Sequence, residues 1–138
     1  MAGFTFRYRT SGGAPTIKTL KAGATATITK GDMVSISSGK AILGATSATA
    51  MLGVVLDTGA RTQDVSDITF ISDPDAVYAV TDANARVAGA TLDIAGATAS
   101  QGVAASSNKE FVVVAPSTAT QETLVRFNVG HHHELVAL

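Results

Sequence analysis

Apolar and polar residues alternate in short runs along most of this chain, and glycine, proline, serine and aspartate separate the runs. That is the pattern of strands and turns. Phe4, Phe6 and Tyr8 occupy every second position with Arg7 and Arg9 between them, which predicts an extended segment with one aromatic and one basic face. Ser11-Gly12-Gly13 breaks any regular element after it. Ala24 to Thr29 alternates small apolar residues with threonine, Lys30-Gly31-Asp32 supplies a turn, and Met33 to Ser37 follows as a strand. Ser38-Gly39 predicts a second turn and Lys40 to Leu43 a return strand, so this region reads as rich in hairpins. Met51 to Leu56 is an apolar run interrupted only by Gly53, of a length that favours a strand buried on both faces or lining a barrel.

The second half continues in the same way. Gly44 to Ala50 is too small and polar for a core element and is expected as a loop; Thr58 to Ser66 is expected as an exposed connection. Asp67 to Ile71 predicts a strand. Ser72-Asp73-Pro74-Asp75 predicts a turn in which Asp73 folds its carboxylate onto the backbone and Pro74 presets φ, before a strand from Ala76 to Val80. Ala83 to Ala90 is the most helix-permissive stretch, two turns at most given Gly89. Leu92 to Ile94 is short and extended, and Ala95 to Ser107 is a loop or weak strand. Phe111 to Ala115 and Leu124 to Val129 are strands around a Pro116 to Thr123 loop. Strand-sized runs recur about every ten residues, the spacing of an all-β barrel or sandwich.

Composition narrows the picture further. A chain of 138 residues fits one domain, and with 5% aromatic residues and no tryptophan its core must be built from small and β-branched side chains. Such a core gains less per residue on burial, so part of the stability is expected from assembly. The absence of cysteine excludes disulfides, thiolate metal sites and a cysteine nucleophile. A net charge of -1 argues against nucleic-acid binding by phosphate neutralisation. The first residues lack the apolar core of a signal peptide and no apolar run reaches membrane-spanning length, so a soluble, unprocessed chain is expected.

Candidate chemistry is sparse. His131-His132-His133-Glu134 contains good ligands for zinc or nickel, but consecutive residues of an extended chain point to opposite faces, so a solvated tail or a neighbour contact is expected instead. Asp73, Asp75, Asp82 and Asn84 bring oxygen ligands together without the twelve-residue calcium-loop pattern and are expected to form turns. No Gly-x-Ser-x-Gly elbow or phosphate-cradling glycine loop occurs, and nothing local makes Asp57, Asp64, Asp67 and Asp93 converge. No enzyme, cofactor or metal is therefore expected.

The order of features carries a resemblance. Lys30-Gly31-Asp32-Met33-Val34, Gly39-Lys40-Ala41-Ile42-Leu43 and Leu52-Gly53-Val54-Val55-Leu56 succeed one another after the N-terminal segment. Asp75-Ala76-Val77-Tyr78, Gly89-Ala90-Thr91-Leu92-Asp93 and Glu122 to Val129 follow. In this order the chain resembles the small capsid decoration, or cement, proteins of tailed phages, of which the lambda-type head decoration proteins are examples. The resemblance implies an all-β fold, a small barrel or β-tulip-like domain over residues 16–130, with an extended arm over residues 1–15 and a tail over 131–138. It implies a non-enzymatic protein of the virion's outer surface, made in the host cytoplasm. Its expected partner is the major capsid protein, often met as a homotrimer at local threefold positions, with neither nucleic acid nor membrane involved. The capsid-binding role falls on Phe4, Phe6, Arg7, Tyr8 and Arg9. From the residues alone, that segment reads either as an arm adding to another sheet or as the first strand of the domain's own sheet. On the arm reading, deleting residues 2–10 leaves the domain folded and abolishes binding. The alternative function is a host-facing or glycan-binding module of fibre or adhesin type, using the Gly44 to Ala50 and Ala95 to Ser107 loops.

Overall fold

The computed structural model describes residues 3–44, 50–82, 86–95, 101–105, 110–117 and 122–128. The described residues form strands and turns and contain no helix. In chain order the strands are β1 (Phe4–Arg9), β2 (Ile17–Lys21), β3 (Ala26–Ile28), β4 (Met33–Ser37), β5 (Lys40–Leu43), β6 (Met51–Val54) and β7 (Gly59–Arg61). They continue as β8 (Asp67–Ile71), β9 (Ala76–Thr81), β10 (Thr91–Ala95), β11 (Gly102–Ala105), β12 (Phe111–Ser117) and β13 (Glu122–Phe127).

One six-stranded antiparallel sheet runs in the order β1-β9-β13-β12-β10-β11. Its inner face carries the aromatic residues. Phe4, Phe111, Phe127, Tyr78 and Phe6 form a chain of ring contacts with centroids 5.2 to 6.3 Å apart, and Leu92, Ile94, Val113 and Val125 fill in around them. Met33, Met51, Val54 and Ile71 close this first core from the opposite side.

Those closing residues belong to the smaller sheets β2-β8 and β5-β4-β6, which together make a ring. The ladders β2-β8, β8's junction with β6, β6-β4, β4-β5 and β5's junction with β2 follow one another around it. Two of these junctions are seams. At one, Val55 bridges Phe70 and the Leu56 amide donates to the Thr69 carbonyl at 3.0 Å; at the other, Ala22 bridges Ala41 and the Gly23 amide donates to the Ala41 carbonyl at 2.7 Å. Inside the ring sits a second core of Ala22, Ile28, Val34, Ala41, Leu52, Val55, Ile68 and Phe70. The all-β class is as expected, and the barrel-like part is a ring with two seams.

β6 serves both cores. Met51 and Val54 point into the first and Leu52 and Val55 into the second, which is why Met51 to Val55 is apolar at nearly every position. Gly53 breaks that run for a steric reason: its φ is 152°, and a Cβ placed there would lie 1.7 Å from the Ile71 carbonyl oxygen of β8.

Several expected elements coincide with the strands observed, among them β4, β5 and β8. Ser38 and Gly39 both have positive φ, 52° and 76°, as a two-residue hairpin turn between β4 and β5 requires. The hairpin expected around Lys30-Gly31-Asp32 does not form. The turn is there, with the Asp32 carboxylate accepting the Thr29 amide at 2.9 Å, but β3 pairs with β7 rather than β4. The Thr58 to Ser66 connection accordingly contains a strand, because β7 supplies the partner that β3 needs. Asp73 uses its carboxylate not on its own turn but on the Thr16 amide, 2.7 Å away. Val87 to Ala90 form a turn, and Ala83 to Ala85 of the helix-permissive stretch lie outside the described residues. Most of the Gly44 to Ala50 loop, parts of the Ala95 to Ser107 and Pro116 to Thr123 segments, and the whole His131 to Leu138 tail also lie outside them.

The N-terminal segment is corrected in its relation to the rest. Phe4 to Arg9 is extended, as its alternation predicts, but it is a strand of the domain's own sheet, paired along β9 from Phe4 opposite Val80 to Arg9 opposite Ala76. Phe4 and Phe6 meet this chain's own core, and that burial offsets the entropy of ordering the strand.

Candidate functional site

β1 is an edge strand of the six-stranded sheet, and a cleft lies beside it. Phe4 is buried against Phe111, Phe6 is half-buried edge-to-face on Tyr78, and Thr5 faces outward. Between Phe6 and Tyr8 the register slips by one residue, so Arg7 and Tyr8 together oppose a single position of β9. The bulge overturns the simple alternation. Tyr8, expected on the face of Phe4 and Phe6, is paired with Val77 and 44% exposed, while Arg9, expected to face out, turns in toward the Ser72 to Asp75 turn.

That turn anchors the end of β1. Arg9 Nε lies 3.1 Å from Asp75 and 3.5 Å from the buried Asp73, the Ser11 amide donates to Asp75 at 3.1 Å, and the Ser11 hydroxyl donates to the same carboxylate. Partial burial works to raise the Asp75 pKa, but the Ser11 and Arg9 hydrogen bonds and the Arg9 charge outweigh it and hold the carboxyl below its ordinary value. Asp82 is likewise occupied, forked to Arg86 at 2.6 and 3.3 Å, and Asn84 lies outside the described residues. The acids that invited a calcium reading are thus engaged by neighbouring donors: Asp73 by the Thr16 amide and Arg9, Asp75 by Ser11 and Arg9, and Asp82 by Arg86. Among the described residues no group of three histidine, aspartate, glutamate or cysteine side chains comes together to hold a metal.

A cleft of about 740 Å3 runs beside the outward edge of β1. Phe4 to Phe6 form one wall, the Thr29 to Gly31 turn one end, and Val54 to Leu56 with Ile71 the other wall; Ala79, Thr81 and Glu122 reach it from across the sheet. The backbone of β1 presents hydrogen-bonding groups to this cleft. The Phe4 amide points away from β9, donating to the Gly31 carbonyl at 2.8 Å, and two residues on, by the alternation of an antiparallel ladder, the amide and carbonyl of Phe6 point the same way. Glu122 is paired with Arg7, whose Nη2 is 3.0 Å from both carboxylate oxygens. Lys30 is exposed at the rim, and its ammonium makes no ion pair among the described residues.

Buried Gln101 holds part of the cleft's surroundings in place. Gln101, fully buried, accepts the Met33 amide through its side-chain oxygen, while its side-chain nitrogen donates to the Met33 and Gly44 carbonyls at 3.3 and 3.1 Å. Its own carbonyl accepts the Gly3 amide at 2.8 Å, so one residue ties β4 to the start of β1. The Tyr78 hydroxyl lies fully buried beside Gly53 and Val54, where burial pushes its pKa up; the Val54 backbone opposes the shift, and the charges of Asp73 and Asp75 add to it.

Of the five residues expected to bind a partner, two are committed to the core, Arg9 to the acidic turn and Arg7 to Glu122, leaving Tyr8 the most exposed aromatic. Lys30 and Leu56 were not singled out in the sequence as site residues: one looks like an ordinary turn lysine, the other like the end of a core strand. Compared with protein-family models, curated proteins and solved structures, the chain finds no match.

Proposed function

We propose that this protein is a non-enzymatic capsid decoration protein that binds the outer surface of a tailed-phage head and clamps neighbouring major capsid subunits. The observation that carries the reading is the outward edge of β1, where backbone groups of Phe6 face a roomy cleft instead of another strand of the described chain. An exposed edge bordered by apolar side chains is a surface for recognising polypeptide, because main-chain pairing supplies affinity and the flanking pockets supply selectivity. The resemblance of the order of sequence features to cement proteins is the reason for taking that polypeptide to be a major capsid subunit. Binding through a rigid edge differs from binding through an unfolded arm, since the ordering cost has been met within the fold before the partner arrives. Trimeric assembly and a position at local threefold axes belong to the same proposal, as does location on the virion. Several weak contacts to adjacent capsomers then act together at high effective concentration.

Cosedimentation with capsids that lack the protein tests the reading, followed by heating of the shells. Saturable binding that raises the temperature of shell disruption is expected. Absence of binding at micromolar protein would reject it and turn attention to a glycan array.

A further inference from the structure

The geometry points to a definite occupant for the cleft: one extended protein segment, carrying a carboxylate among alternating apolar residues, that adds as a strand to β1 at Phe6. The inference rests on the capsid reading only for the source of that segment, a major capsid subunit.

The backbone sets the first constraint. Phe6 offers an amide and a carbonyl to the cleft, and an occupant that satisfies both must present a complementary amide and carbonyl, as an extended chain does. The slot is bounded at both ends. Upstream, the Gly31 carbonyl takes the Phe4 amide at 2.8 Å; downstream, the Arg9 carbonyl accepts the Gly12 amide at 2.9 Å. Between these stops β1 leaves room for about four residues of added strand, roughly 14 Å.

The side chains set the second constraint. Phe6, Val54, Leu56 and Ile71 make one side of the slot apolar, while Thr5 and Thr81 make the other small and polar. A strand projects successive side chains to opposite faces, so an occupant with apolar residues at every second position matches both walls.

Charge sets the third. Glu122 is already neutralised by Arg7, so among the described residues the unbalanced charge at the rim is the Lys30 ammonium. An incoming carboxylate pairs with it, whereas a lysine in the same place meets like charge.

The test uses the full chain, labelled with nitrogen-15, and a blocked pentapeptide of sequence Thr-Val-Glu-Val-Thr, followed by amide chemical shifts. Saturable shifts at Phe6, Lys30 and Leu56 are expected. Two N-methylated versions, one blocked at both valines and one at the glutamate alone, must differ: the set facing β1 loses binding at least about ten-fold and the other retains it. Replacing the peptide glutamate by lysine weakens binding, and Lys30→Glu reverses that preference.

No saturable shift at about 10 mM peptide, a limit beyond millimolar affinity, would overturn the inference, as would equal binding by both N-methylated peptides. Concentration-dependent dimerisation that shifts the same amides without peptide would also overturn it, by making a second copy the occupant. Capsid cosedimentation separates the two levels of argument. If Lys30→Glu binds capsids as tightly as the parent, the capsid reading stands and the slot does not serve it. If the pentapeptide occupies the slot but capsids do not bind, the slot stands and the capsid source falls.

Discussion

Replacing Gln101 by methionine keeps the length of the side chain but removes the partners of the Met33 amide and the Gly44 carbonyl inside the protein. Buried groups left unpaired in this way cost about 3 kcal/mol or more in total. Urea denaturation of Gln101→Met should therefore show a large fall in midpoint, and a change below about 0.5 kcal/mol would mean that the carboxamide is replaceable. Asp75 makes a prediction of a different kind. Its folded pKa is depressed below the unfolded value of about 3.9, so its contribution to stability is fully present above that value and is lost as pH falls through the folded pKa. Asp75→Asn should flatten the acid side of a stability-against-pH curve below about pH 4. An unchanged acid limb would remove the Ser11 and Arg9 contacts from the account. Neither residue advertises its role in the sequence. Gln101 sits in a stretch rich in glycine, alanine and serine, and its partners are 68 and 57 positions away.

At the scale of elements, β1 behaves as two halves joined at a bulge, and mutations should report it. Phe4→Ala removes a ring buried against Phe111 and should cost about 3–5 kcal/mol, whereas Tyr8→Ala, beyond the bulge, should change stability by about 0.5 kcal/mol. Comparable losses at both positions would show that the alternation continues through Arg7. Deleting residues 3–9 uncovers the first core and strips β9 of a partner, so the shortened chain should lose its cooperative unfolding transition rather than persist as a folded domain without an arm. Calorimetry of the truncated protein checks this. Strand positions were legible where the signals are local: turn residues bracket Met33 to Ser37 and Lys40 to Leu43, and alternation marks Asp67 to Ile71. Pairing was not. β2 finds β8 about fifty residues later and β3 finds β7 about thirty-three later, and no short stretch of sequence encodes such distant choices. The bulge was equally hidden, since Arg7 has no special φ preference, and the cleft it borders is assembled from six separate segments.

At the scale of the molecule, the two cores share walls. Gly53 of β6 lies directly against the Ile71 carbonyl of β8, and Gly53→Ala would force the two apart, at a cost of about 3 kcal/mol or more. Because the first core is closed by the same strands that enclose the second, this substitution should speed amide exchange at Val34 and Val125 alike. Faster exchange confined to one of them would mean that the cores melt independently. The two-sided burial of β6 has one more consequence. Sliding that strand forward by a single residue would send Met51 and Val54 to the places of Leu52 and Val55, and Leu52 to the place of Gly53 where no side chain fits, spoiling both interiors in one step. β6 therefore works as a shared reading frame: a residue gained or lost within it cannot be absorbed by one half of the protein while the other half keeps its structure.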